Sequence, residues 1–316
     1  MSDPEGRFDV VVVAYDSRDE IAGCLASVQG AEGLGMVVVV DHGSDGSADV
    51  AAATGATVVR DPSNPGFGAG HNGGVGRTTA PAVLLLNPDA RLVPGAVAQG
   101  LTVLGERTGV AAVQGVVLDA DSGDPERSAG VALGPAHLWG RALRLRSLLG
   151  WGPVRRLAGR VPSLSDHVDR VPDTVSEVES LAATALLVRR SAFDEVSGFD
   201  ERYFLYGEDV DLCRRLRGAG WTLVALPVPW ATHRAGSSHR SEWRREVQWW
   251  RGTMIYAARW YDPREWTSAV GAAVVRAVTL AVRRPRRARD AWQSMVAEPR
   301  RVRRTTHGEG RGRLRP

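Results

Sequence analysis

The chain contains no lysine: all 40 of its Lys+Arg positions are arginine. Schiff-base catalysis through a lysine amine and nucleotide hydrolysis through a P-loop lysine are therefore excluded. Cysteine is nearly absent as well. Cys24 and Cys213 both fall on apolar faces of helix-patterned segments, so neither a disulfide framework nor a cysteine metal site is expected. No apolar run approaches membrane-spanning length, and the polar, acidic start Met1–Arg7 does not read as a signal peptide. The expectation is a cytoplasmic protein. What the chain does have is 316 residues, 43% of them hydrophobic, enough for one large α/β domain or two smaller ones.

Three apolar runs of strand length each stop at a polar, turn-prone tip. Asp9–Ala14 ends at Tyr15-Asp16-Ser17, Met36–Val40 at Asp41-His42-Gly43-Ser44, and Ala82–Leu86 at Asn87-Pro88-Asp89. Between the first two, Glu20–Gln29 places Ile21, Leu25 and Val28 on one helical face. Continuous apolar strands alternating with helices predict an α/β fold with a mainly parallel sheet covered on both sides. Ligands of such sheets bind beyond the carboxyl ends of the strands, where all three tips fall.

Each tip has a chemical and a plain reading. Asp41 can accept hydrogen bonds from a base or ribose edge, with glycines permitting close approach, or it can belong to an ordinary Asp-Gly turn. The segment Asn64–Gly74 holds five glycines and reads as a loop able to bend around a diphosphate, or as a linker. Neither a dinucleotide fingerprint after the first strand nor a Walker motif occurs, which disfavours hydride transfer and P-loop chemistry. Asp89, with Asn87 two residues before it, is a candidate ligand for Mg²⁺ or Mn²⁺ on a diphosphate, because phosphates and waters complete that octahedron. His233, after the apolar run Leu223–Val228, is a second candidate, with His239 as competitor; either can equally be a structural histidine. In the second half, Tyr203–Arg217 sets Glu208, Asp209 and Asp211 where an aromatic loop meets a helix bearing Leu212, Cys213 and Leu216 on one face. Asp209 in its first turn can serve as a base toward a hydroxyl group, or simply cap the helix.

These motifs, in this order, resemble an inverting family-2-type glycosyltransferase of the GT-A fold, most closely the bacterial rhamnosyltransferases of cell-wall and O-antigen synthesis. The resemblance runs from about Phe8 to Tyr261 and includes Leu186–Phe193, Gly198–Phe204 and Gly207–Leu212. It implies a donor half over about 8–118 and an acceptor half over about 175–262, within a domain spanning 1–262. It further implies that Ala14, Tyr15, Asp16, Asp41, Gly43, Ser44, Asn64, Phe67, Gly68, Asn72, Asn87 and Asp89 border the donor. Asp89 and His233 would hold the metal, Asp209 would deprotonate the acceptor, and Glu208 and Asp211 would line or support the acceptor side. The implied donor is dTDP-rhamnose, and the implied acceptor a lipid-linked saccharide. A UDP-hexose donor, or a nucleotide-sugar or membrane-surface binding role without turnover, is the alternative. Asn87 departs from the family's first metal-motif acid, and Asp16 and His42 stand where Asn is common. Gln248-Trp-Trp-Arg-Gly lacks the tryptophan of processive synthases, so single addition is expected.

The remainder reads differently. Gly134–Ser176, with Trp139 and Trp151, is expected to be an insertion bordering the acceptor, or a solvated loop. Ala269–Val282 is an amphipathic helix in an extension over 263–304, and residues from about Thr305 to 316 are expected to be disordered. Twelve arginines between Arg283 and Arg315 predict contact with an anionic membrane surface. Nucleic acid is disfavoured for want of interleaved aromatics, and a homo-oligomer is left open.

Overall fold

The computed structural model describes residues 6–126, 129–130, 132–144, 173–234 and 241–309. His239 and residues 145–172, which include most of the expected insertion, lie outside them. The chain forms two compact units, one of Met1–Ala132, Asp169–Phe204 and Asp209–Arg240, the other of Leu133–Val168, Leu205–Glu208 and Ser241–Pro316.

The first unit is built on a sheet of nine strands. The strands are β1 (Phe8–Ala14), β2 (Leu34–Asp41), β3 (Thr57–Arg60), β4 (Ala82–Leu86), β5 (Ala90–Leu92), β6 (Val110–Asp119), β8 (Ser176–Glu177), β10 (Ala185–Arg189) and β11 (Thr222–His233); β7 (Ala129–Gly130) pairs separately with β9 (Ser180–Leu181). The order is β3-β2-β1-β4-β10-β6-β11-β5, with β8 beside β11. β1, β2, β3 and β4 run parallel; β10 is antiparallel to both β4 and β6, and β11 is parallel to β6. The carboxyl ends of β1, β2, β4, β6 and β11 therefore lie along one edge.

Alternation explains the unbroken apolar runs. In β1, Phe8, Val10, Val12 and Ala14 enter one core cluster, and Val11 and Val13 the other. β4 divides likewise, with Leu84 and Leu86 on one side and Val83 and Leu85 on the other. The first cluster is closed by α1 (Arg18–Val28), α2 (Ser47–Ala53) and α4 (Ala96–Glu106), through residues such as Ile21, Leu25, Ala51 and Leu104. The second is closed by α3 (Phe67–Val75), α6 (Arg190–Glu195) and α7 (Glu208–Gly218), through Val75, Phe193, Leu212, Cys213 and Leu216. Both cysteines are free and buried, and burial raises both thiol pKa values, that of Cys213 to about 12.

Three expectations need correction. The glycine-rich segment is not a loop: Phe67–Val75 is a helix. Three of its four glycines are steric, because a Cβ at Gly68 would stand 2.8 Å from the Phe199 Cβ, one at Gly70 2.7 Å from the His42 ring and one at Gly74 2.3 Å from a Val11 methyl. Close packing on the sheet offsets their poor helix propensity. Second, the helix expected over Ala269–Val282 begins earlier, at Pro263, where Asp262 and Glu265 form a capping box. The resulting α9 (Pro263–Arg283) is by length and composition long and apolar enough to cross a membrane. Third, the chain is helical through Glu309 and not only to about Thr305.

Among the described residues the second unit is helical. α9 packs with α5 (Pro135–Ala142) and α8 (Glu242–Trp260), followed by α10 (Ala288–Trp292), a π-helical turn over Gln293–Ala297 and α11 (Glu298–Glu309). Glu246 of α8 receives hydrogen bonds from Arg141 at 2.9 Å, Arg276 at 2.8 Å and the Trp250 indole at 3.0 Å. Burial works against its ionisation, but the two arginines hold its carboxyl below the usual range.

Candidate active site

The strand tips are stitched together by the backbone. The His42 N–H donates to the Ala14 carbonyl at 2.9 Å, and the Asp61 N–H to the Asp41 carbonyl at 2.9 Å. Asp16 sits at a left-handed φ of 49°, which brings its backbone so close to Gly43 that a Cβ there would meet the Asp16 nitrogen at 2.6 Å. Gly43 is thus required by the crossing of two tips. Ser44 donates its N–H weakly to the Asp16 carboxylate at 3.4 Å, and Tyr15 is left 46% exposed beside them. Asp41 is buried and accepts the Gly43 N–H at 3.1 Å; burial pushes its carboxyl above the ordinary value.

The same edge carries a histidine held between two acids. β11 ends at His233 and the β4–β5 connection supplies Asp89, placing His233 Nε2 3.2 Å from Asp89 Oδ1. On the other side of the ring, Nδ1 lies 2.8 Å from Glu126 Oε2. Burial disfavours the charged imidazole, but the two carboxylates outweigh it and raise its pKa to about 10. Asp89 and His233, the expected pair, are therefore together. Glu126 was not foreseen from the sequence; the loop after β6 brings it there because β6 runs parallel to β11, a pairing about a hundred residues long in sequence that no local pattern announces. The only available signal was an acid shortly after an apolar run.

Whether this arrangement suits a divalent cation can be judged from its donors. No cluster of three or more His, Cys, Asp or Glu able to hold a metal occurs among the described residues. A carboxylate oxygen and an imidazole nitrogen face each other, however, and the far imidazole nitrogen is fixed by a second carboxylate, the arrangement that orients a ligating histidine. Such a pair suits a cation that takes its remaining ligands from a diphosphate.

Asp209 reaches this edge through β10. It is the second residue of α7, so the capping position falls on Gly207 and not on Asp209. Its Oδ1 accepts the Val210 N–H at 2.8 Å, and Ala183, just before β10, also donates to it from the backbone. The neighbouring Thr184 carbonyl takes the Asn87 N–H at 2.9 Å, linking Asp209 to the Asn87-Pro88-Asp89 tip within three residues. Burial raises the Asp209 carboxyl above its ordinary pKa despite these donors.

The other expected residues lie elsewhere. Asp211 is fully buried and bonded to Arg215 at 2.7 Å and to the Tyr203 hydroxyl at 3.3 Å, a tie within the fold. Glu208 is buried at the start of α7. Asn64 turns the chain at φ 45° before α3. Phe67 stacks 4.3 Å from the His71 ring and 6.1 Å from Phe199, and its N–H donates to the Phe204 carbonyl at 2.9 Å. Asn72 uses both ends of its amide on the turn before Tyr203, donating to the Phe199 carbonyl at 2.9 Å and accepting the Phe199 N–H at 2.8 Å. Phe67, Gly68 and Asn72 thus all face the Gly198–Phe204 turn that leads to α7.

Comparison with known proteins gives this geometry a lineage. Residues 4–262 match the family model described as glycosyltransferase like family 2. An N-acetylglucosaminyl-diphospho-decaprenol L-rhamnosyltransferase of Mycobacterium tuberculosis is 30% identical over 291 residues, covering 82% of this chain and 88% of that protein. The fold is shared with GalNAc-T7, solved with UDP, GalNAc and Mn²⁺ (TM-score 0.59, 14% identity, 82% of this chain and 48% of that one). It is shared too with a mannosyltransferase of Pyrobaculum calidifontis, solved with GDP-Man and Mn²⁺ (TM-score 0.52, 14% identity, 96% and 88%). The chain is a glycosyltransferase of family 2 with the GT-A fold.

Proposed function

We propose that the chain transfers L-rhamnose from dTDP-rhamnose to a lipid-linked saccharide at the cytoplasmic side of a membrane, with inversion at the anomeric carbon. The observation that carries the reading is the convergence, along one sheet edge, of a buried acceptor at Asp41, the Asp89–His233 pair and the Asp209 carboxylate. Likeness to a decaprenol-linked rhamnosyltransferase supports the sugar and the acceptor class.

In this reading Asp41 accepts a hydrogen bond from the nucleobase, while the Tyr15-Asp16 and Gly43-Ser44 tips border the nucleoside. Asp89 and His233 are the residues that would hold Mg²⁺ or Mn²⁺, which when bound offsets the charge of the departing diphosphate. Glu126 orients the His233 ring. The acceptor hydroxyl attacks C1 of the sugar as the bond from C1 to the diphosphate oxygen breaks, and its proton passes to Asp209. A single base with no nucleophilic carboxylate gives inversion. A carboxylate whose pKa is raised by burial is a better base than a solvated one, provided it stays ionised at the working pH.

The test is a panel of dTDP-rhamnose, UDP-glucose, UDP-galactose and GDP-mannose, each with Mn²⁺ or EDTA, read as thermal stabilisation and as transfer to a polyprenyl-diphosphate-linked N-acetylglucosamine. Metal-dependent stabilisation and turnover with dTDP-rhamnose alone is the expected result. Turnover with a UDP-hexose would replace the sugar assignment, and binding without turnover would replace the enzyme reading.

A further inference from the structure

The outer face of α9 is apolar where a helix facing water ordinarily carries polar side chains. Val275, Val278 and Val282 follow one another there at helical spacing and are 37%, 54% and 79% exposed. The opposite face is buried through Ala269, Ala272, Ala273, Ala277 and Leu280, and is pinned by the Arg276–Glu246 ion pair at 2.8 Å and by the Trp139 indole on Ser268 at 3.0 Å. Immediately after Val282 come Arg283, Arg284, Arg286, Arg287 and Arg289, all exposed, and then Trp292, 44% exposed. None of Arg283, Arg284, Arg286 and Arg289 has a carboxylate partner among the described residues, and Arg287 lies 5.8 Å from the Trp243 ring centre. Between Arg283 and Ala297 the sole acid is Asp290.

We infer that the valine row of α9 and the arginine cluster behind it form an interfacial docking edge for an anionic lipid bilayer. Two complementary features meet at one place. Five exposed cations offer about fivefold in affinity each toward a surface of lipid phosphates, and the adjoining valines with Trp292 offer side chains suited to the acyl boundary just beneath. Nucleic acid would satisfy the arginines but has no apolar phase for the valines. A membrane-spanning α9 is opposed by its packing: surrounding it with lipid would strip Arg276 from Glu246 and leave charge in hydrocarbon. The helix therefore lies along the interface with its buried side on its own unit. This inference deepens the proposed lipid-linked acceptor, whose diphosphate stays at such a surface, but vesicle binding needs neither donor nor acceptor.

The experiment is co-sedimentation of the full chain with vesicles of phosphatidylcholine alone and of phosphatidylcholine mixed equally with phosphatidylglycerol, followed by extraction with alkaline carbonate. The wild type is expected to bind the anionic vesicles, to lose them as salt is raised, and to be released by carbonate. Arg283→Ser with Arg284→Ser should weaken binding on the order of thirtyfold. Val278→Ser with Val282→Ser should weaken it about tenfold at unchanged charge. Both pairs lie on solvent and should keep the wild-type melting temperature and transfer to a water-soluble acceptor analogue. Equal binding to both vesicle types, undiminished binding by the valine variant, or retention through carbonate would each overturn the inference. Vesicle binding by a protein that transfers no sugar would sink the enzyme reading and leave the docking edge standing; transfer to the soluble acceptor without vesicle binding would do the reverse.

Discussion

In the sheet-bearing unit, carboxylates collect at strand ends: Asp41, Asp89 and Asp209 all stand along one edge, with Glu126 behind His233. In the helical unit two of the described acids are neutralised by arginine, Glu246 by Arg141 and Arg276 and Glu298 by Arg251 at 2.5 Å, while the arginines after α9 face outward. The contrast separates two uses of charge. On the proposed function, acids placed where backbone amides and a cationic ligand can meet them serve the chemistry; acids matched by guanidinium groups, Glu246 and Glu298, hold helices together.

A large effect that sharpens this comparison is expected at the edge pair. Asp89→Ala or His233→Ala should lower transfer on the order of a hundredfold or more, abolish metal-dependent stabilisation by the donor, and leave the unfolding transition intact. Loss of folding in both variants would instead make the pair a structural tie. In the helical unit the order reverses, with stability affected and chemistry spared. Arg276→Met should cost about 2–3 kcal/mol, since a buried carboxylate loses one of its partners, while transfer to a soluble acceptor below the melting temperature is unchanged. The pH dependence gives the sign. Glu246 has a depressed carboxyl pKa in the folded chain, so its contribution is present above the ordinary carboxylate range and is lost as pH falls through the folded value. The variant should accordingly lose less stability on acidification than the wild type, as followed by thermal melts.

A smaller effect is expected at Asn72. Asn72→Ala would leave the Phe199 N–H and carbonyl to find other partners, at a cost of about 1–3 kcal/mol. Because the turn it clamps leads to α7, kcat should fall more than the donor KM rises. The opposite split would put Asn72 on the donor and not on the turn.

Much of the sheet-bearing unit was legible in the sequence. β1, β2 and β4 declared themselves because both faces of the sheet are buried, which makes each strand a continuous apolar run. β3 escaped notice because Thr57–Arg60 is an edge strand of only four residues with no fully buried position. Asp41, Asp89, Asp209 and His233 were legible as tips of apolar runs or the first turn of a patterned helix. The helical state of Phe67–Val75 was not, because five glycines between Asn64 and Gly74 argue locally against helix, and only the close approach of Val11, Val13 and Phe199 selects it. Glu126 was hidden for the same reason: its neighbour His233 is brought to it by strand pairing and not by proximity in the chain.

The central claim is that Asp209 takes the acceptor proton, and the most direct measurement is transfer and donor binding by Asp209→Asn across pH. The account predicts a loss of about a thousandfold in kcat with donor-induced stabilisation retained. Since burial raises the Asp209 pKa, the ionised carboxylate opposes folding above that value, so the amide should not lower the melting temperature at neutral pH. The wild-type rate should fall on acidification through a pKa above the ordinary carboxylate range. Full transfer by the Asn variant, with an unchanged acid limb, would contradict the account.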